Sequence, residues 1–136
     1  MRKNIYKYIH LFLVLFLTQS GFAQKKLFPF VHSHNDYYQK VPFWKAYSCE
    51  INSIEIDVFL KRDSLYVTHS EHEIIKSRDI ESLYLKPLKS ALELKFRSDL
   101  SLQFLIDIKS EAKTTLKKLI EILKNYPEII NNPNYI

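Results

Sequence analysis

The sequence predicts an α/β fold in which strands and helices alternate around a parallel sheet. Three observations predict it. Residues 53–58 alternate between polar and apolar side chains within an apolar-rich run to Leu60, the period-two signature of a half-buried strand. A second long strand pattern covers residues 100–108, and helical patterns precede and follow it. Strands separated by helices of this size argue for βαβ units.

The elements follow in order. Residues 27–34 read as a strand whose Pro29 sits near its start, where a missing N–H is tolerated. Pro42 suits the first turn of a helix over 42–49. In 53–60, Ile54, Ile56, Val58 and Leu60 point one way and Ser53, Glu55 and Asp57 the other. The polar stretch 61–64 predicts a turn into a strand over 65–69. Pro87 is expected to open a helix with Leu88, Ala91, Leu92 and Lys95 at helical spacing. The pattern over 110–126 is the strongest helix. Leu116, Leu119, Ile120 and Leu123 are expected on its buried stripe, with Lys113, Lys117, Lys118 and Lys124 largely off it. Pro127 is expected to end that helix, and 128–136 shows no periodicity.

The chain has 136 residues, 46% hydrophobic and 26% charged, with one Gly and one Cys. These values exclude a disordered, collagen-like or disulfide-framework protein, and Cys49 has no partner within the chain. Arg2, Lys3 and Lys7 precede an unbroken apolar run over 11–17, and small residues close the segment at Ala23. That is the layout of a secretory signal peptide over residues 1–23, shorter in its apolar run than the ~20 residues of a spanning helix. Cleavage after Ala23 leaves 113 residues and lowers the net charge from +5 to +2. The expectation is an exported protein with no stable membrane span. It carries no basic, aromatic-interleaved patch for nucleic acid.

Four segments carry chemistry. His32 and His34 lie two apart, so both imidazoles share one side of a strand. Glu55 and Asp57 repeat that spacing on the face opposite the apolar stripe. His69 closes the strand pattern over 65–69, and Asp107 and Lys109 close the one over 100–108. Each pattern alone also fits a solvated strand face or a weak surface ion pair. Together they place three carboxylates and imidazoles at one edge of a parallel sheet, where active sites of α/β folds collect. Converging carboxylates call for a hard divalent cation, Ca²⁺ or Mg²⁺. Imidazoles beside it supply acid and base near neutral pH, and an anionic phosphate is the natural substrate group.

The strings H-x-H-N-D-Y from His32, S-I-E-I-D-V from Ser53, L-Y-V-T-H from Leu65 and L-I-D-I-K from Leu105 resemble the first half of the phospholipase C-like phosphodiesterases. That superfamily includes the glycerophosphodiester phosphodiesterases. The chain is most similar to its altered-inheritance-of-mitochondria protein 6-like branch, whose hallmark HSHNDY stands at 32–37, and the stretch 82–88 resembles that branch too. The resemblance implies a (βα)₈ TIM-barrel-like domain, with residues 24–136 its N-terminal portion. It implies a catalytic pair of His69 with His34 or His32, the match to the family's H-R-G start favouring His34. Glu55, Asp57 and Asp107 would hold the cation, and Lys109 would touch phosphate. Asn35 stands where glycerophosphodiesterases carry the phosphate-binding Arg, and an amide lacks the bidentate cationic fork. The implied substrates are glycerophosphodiesters or phospholipid-headgroup-like diesters, which places the chain in lipid metabolism.

A closed (βα)₈ barrel takes on the order of 200–250 residues. The barrel is therefore expected to be incomplete, needing a missing half or a partner chain. Two other readings are carried forward. One is an exported non-catalytic fragment or interaction module. The other is a zinc-dependent barrel hydrolase that starts from the H-x-H pair, for which only His72 remains as a further His after His69.

Overall fold

The computed structural model describes residues 30–97 and 101–133. The predicted signal peptide over 1–23, the start of the first predicted strand and the last three residues lie outside them. A mixed four-stranded sheet is the centre of the fold, and its middle strand is β2 (Ser53–Lys61). β1 (His32–Ser33) and β4 (Gln103–Ile108) both pair with β2 in parallel. β3 (Ser64–Val67) pairs with it antiparallel. Ser53 and Ile54 partner both β1 and β4, and Val58 partners both β3 and β4. Hence β4 runs along one edge of β2, while β1 and β3 share the other. Among the described residues the sheet does not close into a barrel.

β2 matches its predicted strand to within one residue. Ile54, Ile56 and Val58 are fully buried, each burial stabilising by roughly 1.5–3 kcal/mol. The antiparallel β3 departs from strict strand–helix alternation. Arg62 and Asp63 both adopt left-handed backbone (φ 49° and 64°), so β2 and β3 join through a two-residue hairpin turn. β3 ends at Val67, which leaves Thr68 and His69 beyond the strand rather than within it.

The helices cover the apolar face. α1 (Trp44–Ser48) begins two residues later than expected because Pro42 and Phe43 form a separate corner. Phe43 has φ 60° and ψ −65°, Trp44 N–H donates to the Pro42 carbonyl at 2.7 Å, and Phe43 N–H donates to the buried Asp36 carboxylate at 2.7 Å. That is a γ-turn of the rare, strained hand. α2 (Lys86–Glu93) is preceded by a π-helical turn, Glu81–Leu85, so the helical segment starts well before Pro87. Pro87 has no N–H for the Leu83 carbonyl, and the wide turn absorbs the missing bond. After α2, Lys95 at φ 53° closes a Schellman cap, with Lys95 N–H on the Leu92 carbonyl and Phe96 N–H on Ala91. Lys95 therefore lies past the helix it was expected to join.

α3 (Ala112–Leu123) is shorter than its predicted span and faces differently. The Glu111 carboxylate accepts N–H bonds from Lys113 (3.0 Å) and Thr114 (2.8 Å), which fixes the helix start. Ser110 is held outside it, accepting Leu60 N–H at 2.9 Å. The buried stripe is Thr115, Leu119 and Ile122; Leu116 and Ile120 are half exposed. α3 stops at Leu123, before Pro127 is reached, and Pro127 opens a short α4 (Pro127–Ile130), where no helix was expected. The core joins Phe43, Tyr47 and Tyr84 around Phe104, with Tyr84 and Phe43 edge-on to the Phe104 ring. No described helix is long and apolar enough to cross a membrane.

Candidate metal centre

The other face of the sheet carries the polar chemistry. Parallel register sets Asp57 opposite Asp107 and Glu55 opposite Leu105 on adjacent strands. Side chains two apart on a strand share a face, so all three carboxylates converge. One oxygen of each lies within 4.8 Å of the others. Asp57 is fully buried, Glu55 is largely so, and Asp107 is half exposed.

Such a cluster repels itself unless neighbours compensate. Lys109 Nζ lies 2.7 Å from Asp107 Oδ2 and 3.5 Å from Asp57 Oδ2. The Asp107 hydrogen bond, helped by the Asp57 charge, raises the Lys109 pKa above the ordinary lysine value against its desolvation. Three carboxylates against one ammonium leave a formal −2 when the imidazoles are neutral.

The histidines arrange themselves around the acids. His32 places Nε2 3.0 Å from Glu55 Oε2 and Nδ1 2.9 Å from Ser53 Oγ, so both its ring nitrogens are engaged. His34 is 70% exposed and reaches Glu55 Oε1 only at 3.5 Å through Nε2. His69 Nδ1 sits 2.8 Å from Asp57 Oδ2, with more than half of the side chain in solvent. His72 lies in the exposed turn Glu71–Glu73.

The structure thus brings together Glu55, Asp57, Asp107, Lys109, His32, His34 and His69. Asn35 is the exception. It sits between His34 and Asp36 in left-handed backbone (φ 48°), and its Oδ1 is buried without a hydrogen-bond partner.

Two further side chains belong to the site. Tyr37, buried, donates its hydroxyl to Asp57 Oδ2 at 2.8 Å. Burial and the adjacent Asp57 charge raise its pKa far above the usual phenol range, so it stays a donor. Asp36 is fully buried and accepts from Phe43 N–H, the Tyr84 hydroxyl (3.1 Å) and the Ser33 hydroxyl (3.1 Å). It anchors the turn that carries His34, Asn35 and Tyr37. Both residues stand in the HSHNDY string, but their contacts to residues 20 and 48 positions away leave no periodic trace.

The donor set suits a hard divalent ion. Among the described residues, the carboxylates of Glu55, Asp57 and Asp107 form the one group of three or more potential ligands, and no imidazole belongs to it. Asp57 Oδ1 is buried with no hydrogen-bond partner, an arrangement that is costly unless a cation takes it.

Comparison with known proteins gives a consistent picture. The family model described as AIM6-like phosphodiesterase domain matches residues 22–129. The altered inheritance of mitochondria protein 6 homolog of Arthroderma benhamiae is 45% identical over 69 residues, covering 46% of this chain and 22% of the relative. The altered inheritance of mitochondria protein 6 of Eremothecium gossypii is 33% identical over 120 residues, covering 75% of this chain and 30% of the relative. The chain spans less than a third of the length of these curated relatives. No solved structure matches it.

Proposed function

The chain belongs to the AIM6-like phosphodiesterase domain family, and from that premise we propose that it hydrolyses phosphoric diesters at the carboxylate cluster, with lipid-headgroup or glycerophosphodiesters as the substrate class. The observation that carries this reading is the convergence of Glu55, Asp57 and Asp107 within 4.8 Å, flanked by Lys109 and three imidazoles. The same reading makes β1, β2 and β4 successive strands of a (βα)₈-type barrel whose interior is the polar face, with β2–β3 a hairpin on its rim. It also takes residues 1–23 as an export signal.

Glu55, Asp57 and Asp107 would hold Ca²⁺ or Mg²⁺. When bound, the ion supplies Lewis-acid neutralisation of phosphoryl charge. His69 is oriented by Asp57 through Nδ1, which leaves Nε2 to exchange a proton with substrate or water. His34, exposed and loosely tethered, is the second imidazole of the pair. One of the pair takes the proton of the attacking water or substrate hydroxyl as the new P–O bond forms. The other gives a proton to the departing alkoxide as the old P–O bond breaks. His32, with both nitrogens occupied, orients Glu55 instead. Lys109 adds positive charge where the phosphoryl oxygens gain negative charge, and Asn35 is assigned a phosphate contact on the family resemblance alone.

Turnover of bis(p-nitrophenyl) phosphate by the full chain tests this. Expected is hydrolysis restored by Ca²⁺ or Mg²⁺ after chelation and lost in Glu55→Gln. Hydrolysis indifferent to both treatments, or supported by Zn²⁺ alone, overturns it.

A further inference from the structure

We infer that Tyr37, clamped by Arg78, is a positioning residue that turns the Asp57 carboxylate so that one oxygen serves the side chains and the other serves the cation. The inference rests on the cation reading above and deepens it. Asp57 divides its two oxygens unequally. Oδ2 takes the Tyr37 hydroxyl at 2.8 Å, His69 Nδ1 at 2.8 Å and Lys109 Nζ at 3.5 Å. Oδ1 is buried and takes none. A carboxylate free to rotate about its terminal torsion would share these donors between both oxygens, since that torsion is broad and nearly two-fold.

Of the three donors, Tyr37 has the least freedom. It is 1% exposed, whereas His69 and Lys109 are partly in solvent and are assigned contacts with substrate. The Tyr37 backbone is fixed as well. The Arg78 guanidinium donates to its carbonyl, and the neighbouring Asp36 is held by Phe43 N–H and the Tyr84 hydroxyl. Arg78 itself stands next to Asp79, whose bridge to Tyr66 ties the 75–79 segment to β3. The phenol is thus referenced to the sheet by two routes. Partners of this kind behind metal ligands matter because they fix ligand orientation before the ion arrives.

The test is calorimetric titration of the full chain with CaCl₂ alone, repeated with MgCl₂. Expected is saturable binding by the wild type, 10- to 100-fold weaker binding by Tyr37→Phe, and unchanged binding by Tyr38→Phe, whose hydroxyl goes to the exposed Glu73 instead. Thermal midpoints of the two variants without cation should be close. Phosphodiester turnover of Tyr37→Phe should recover towards wild type at excess cation, a rescue that a merely structural lesion would not show. Wild-type binding with equal affinity in Tyr37→Phe overturns this inference alone. Absence of binding by the wild type overturns the cation reading beneath it. Should Tyr37→Phe fail to fold, Arg78→Lys decides. It keeps the phenol and loosens the clamp, so severalfold weaker binding supports the assignment and unchanged binding overturns it.

Discussion

Lys109 Nζ bridges Asp107 Oδ2 at 2.7 Å and Asp57 Oδ2 at 3.5 Å, and so ties β4 to β2 across the polar face of the sheet. The ammonium is the only lysine or arginine charge bonded to the three-carboxylate cluster among the described residues. Lys109→Met is expected to lower the thermal midpoint without cation, because two adjacent acids lose their counter-charge, and to let added Ca²⁺ restore part of the loss. Phosphodiester turnover should fall roughly 10²- to 10³-fold. Melting curves with and without CaCl₂, beside initial rates, check both halves.

Removal of divalent ions should destabilise the wild type. A ligand at a hundredfold its Kd adds about 2.7 kcal/mol to the folded state, so EDTA should lower the midpoint measurably. Asp107→Asn is expected to behave oppositely in apo protein, with a midpoint at or above wild type as carboxylate repulsion is relieved, while its response to Ca²⁺ shrinks. A wild-type midpoint unmoved by EDTA after prior Ca²⁺ loading would contradict the expectation.

The Glu111 cap gives a pH signature. Hydrogen bonds from the Thr114 hydroxyl, then from Thr114 and Lys113 N–H, hold the Glu111 pKa below its ordinary 4.5. A folded pKa below the unfolded one means that the contribution is complete above about pH 4.5 and is lost as pH falls through the folded value. Glu111→Gln should therefore melt a few degrees below wild type at pH 7, and the two curves should converge in acid. Circular dichroism melts from pH 7 down to pH 3 measure this.

Lys95→Gly should stabilise the protein by about 1 kcal/mol, because the left-handed residue of a Schellman cap is glycine's natural place. Chemical denaturation should show a higher midpoint with an unchanged slope. A lower midpoint would mean that the lysine side chain contributes more than the backbone penalty removes.

The part of the fold legible in the sequence is the part written in periodic patterns. β2 alternates cleanly, so its span, its apolar face and the shared face of Glu55 and Asp57 could be read directly. Asp107 and Lys109 followed from the same rule at the end of β4. The turn between β2 and β3 was legible in the polar stretch 61–64, but its two-residue form and antiparallel pairing were not, because Arg62 and Asp63 replace the usual Asn-Gly signal. The facing of α3 was misread because Thr115 takes a core position while Leu116 and Ile120 turn half outward. Thr115 is held there by its hydroxyl, which bonds the Glu111 carbonyl at 2.6 Å and meets Ser110 Oγ at 2.7 Å. Those contacts cannot be read from hydrophobicity. Tyr37 and Arg78 escaped for a related reason, since their partners are fixed by tertiary packing alone.

The connection between β1 and β2 holds three non-glycine residues at positive φ: Asn35, Phe43 and Glu50. Each corner resists relaxation only while its neighbours are pinned, by Asp36 in the first two cases and by an ion pair to Arg97 in the third. The segment bearing His34 and Tyr37 is therefore a loaded latch, cocked by the interior and not by its own sequence. Thinning the packing at Tyr84 or Tyr47, remote as those rings look, should loosen the loop bearing His34 and Tyr37 while the sheet still stands, and hydrogen exchange would register that slackening well before melting.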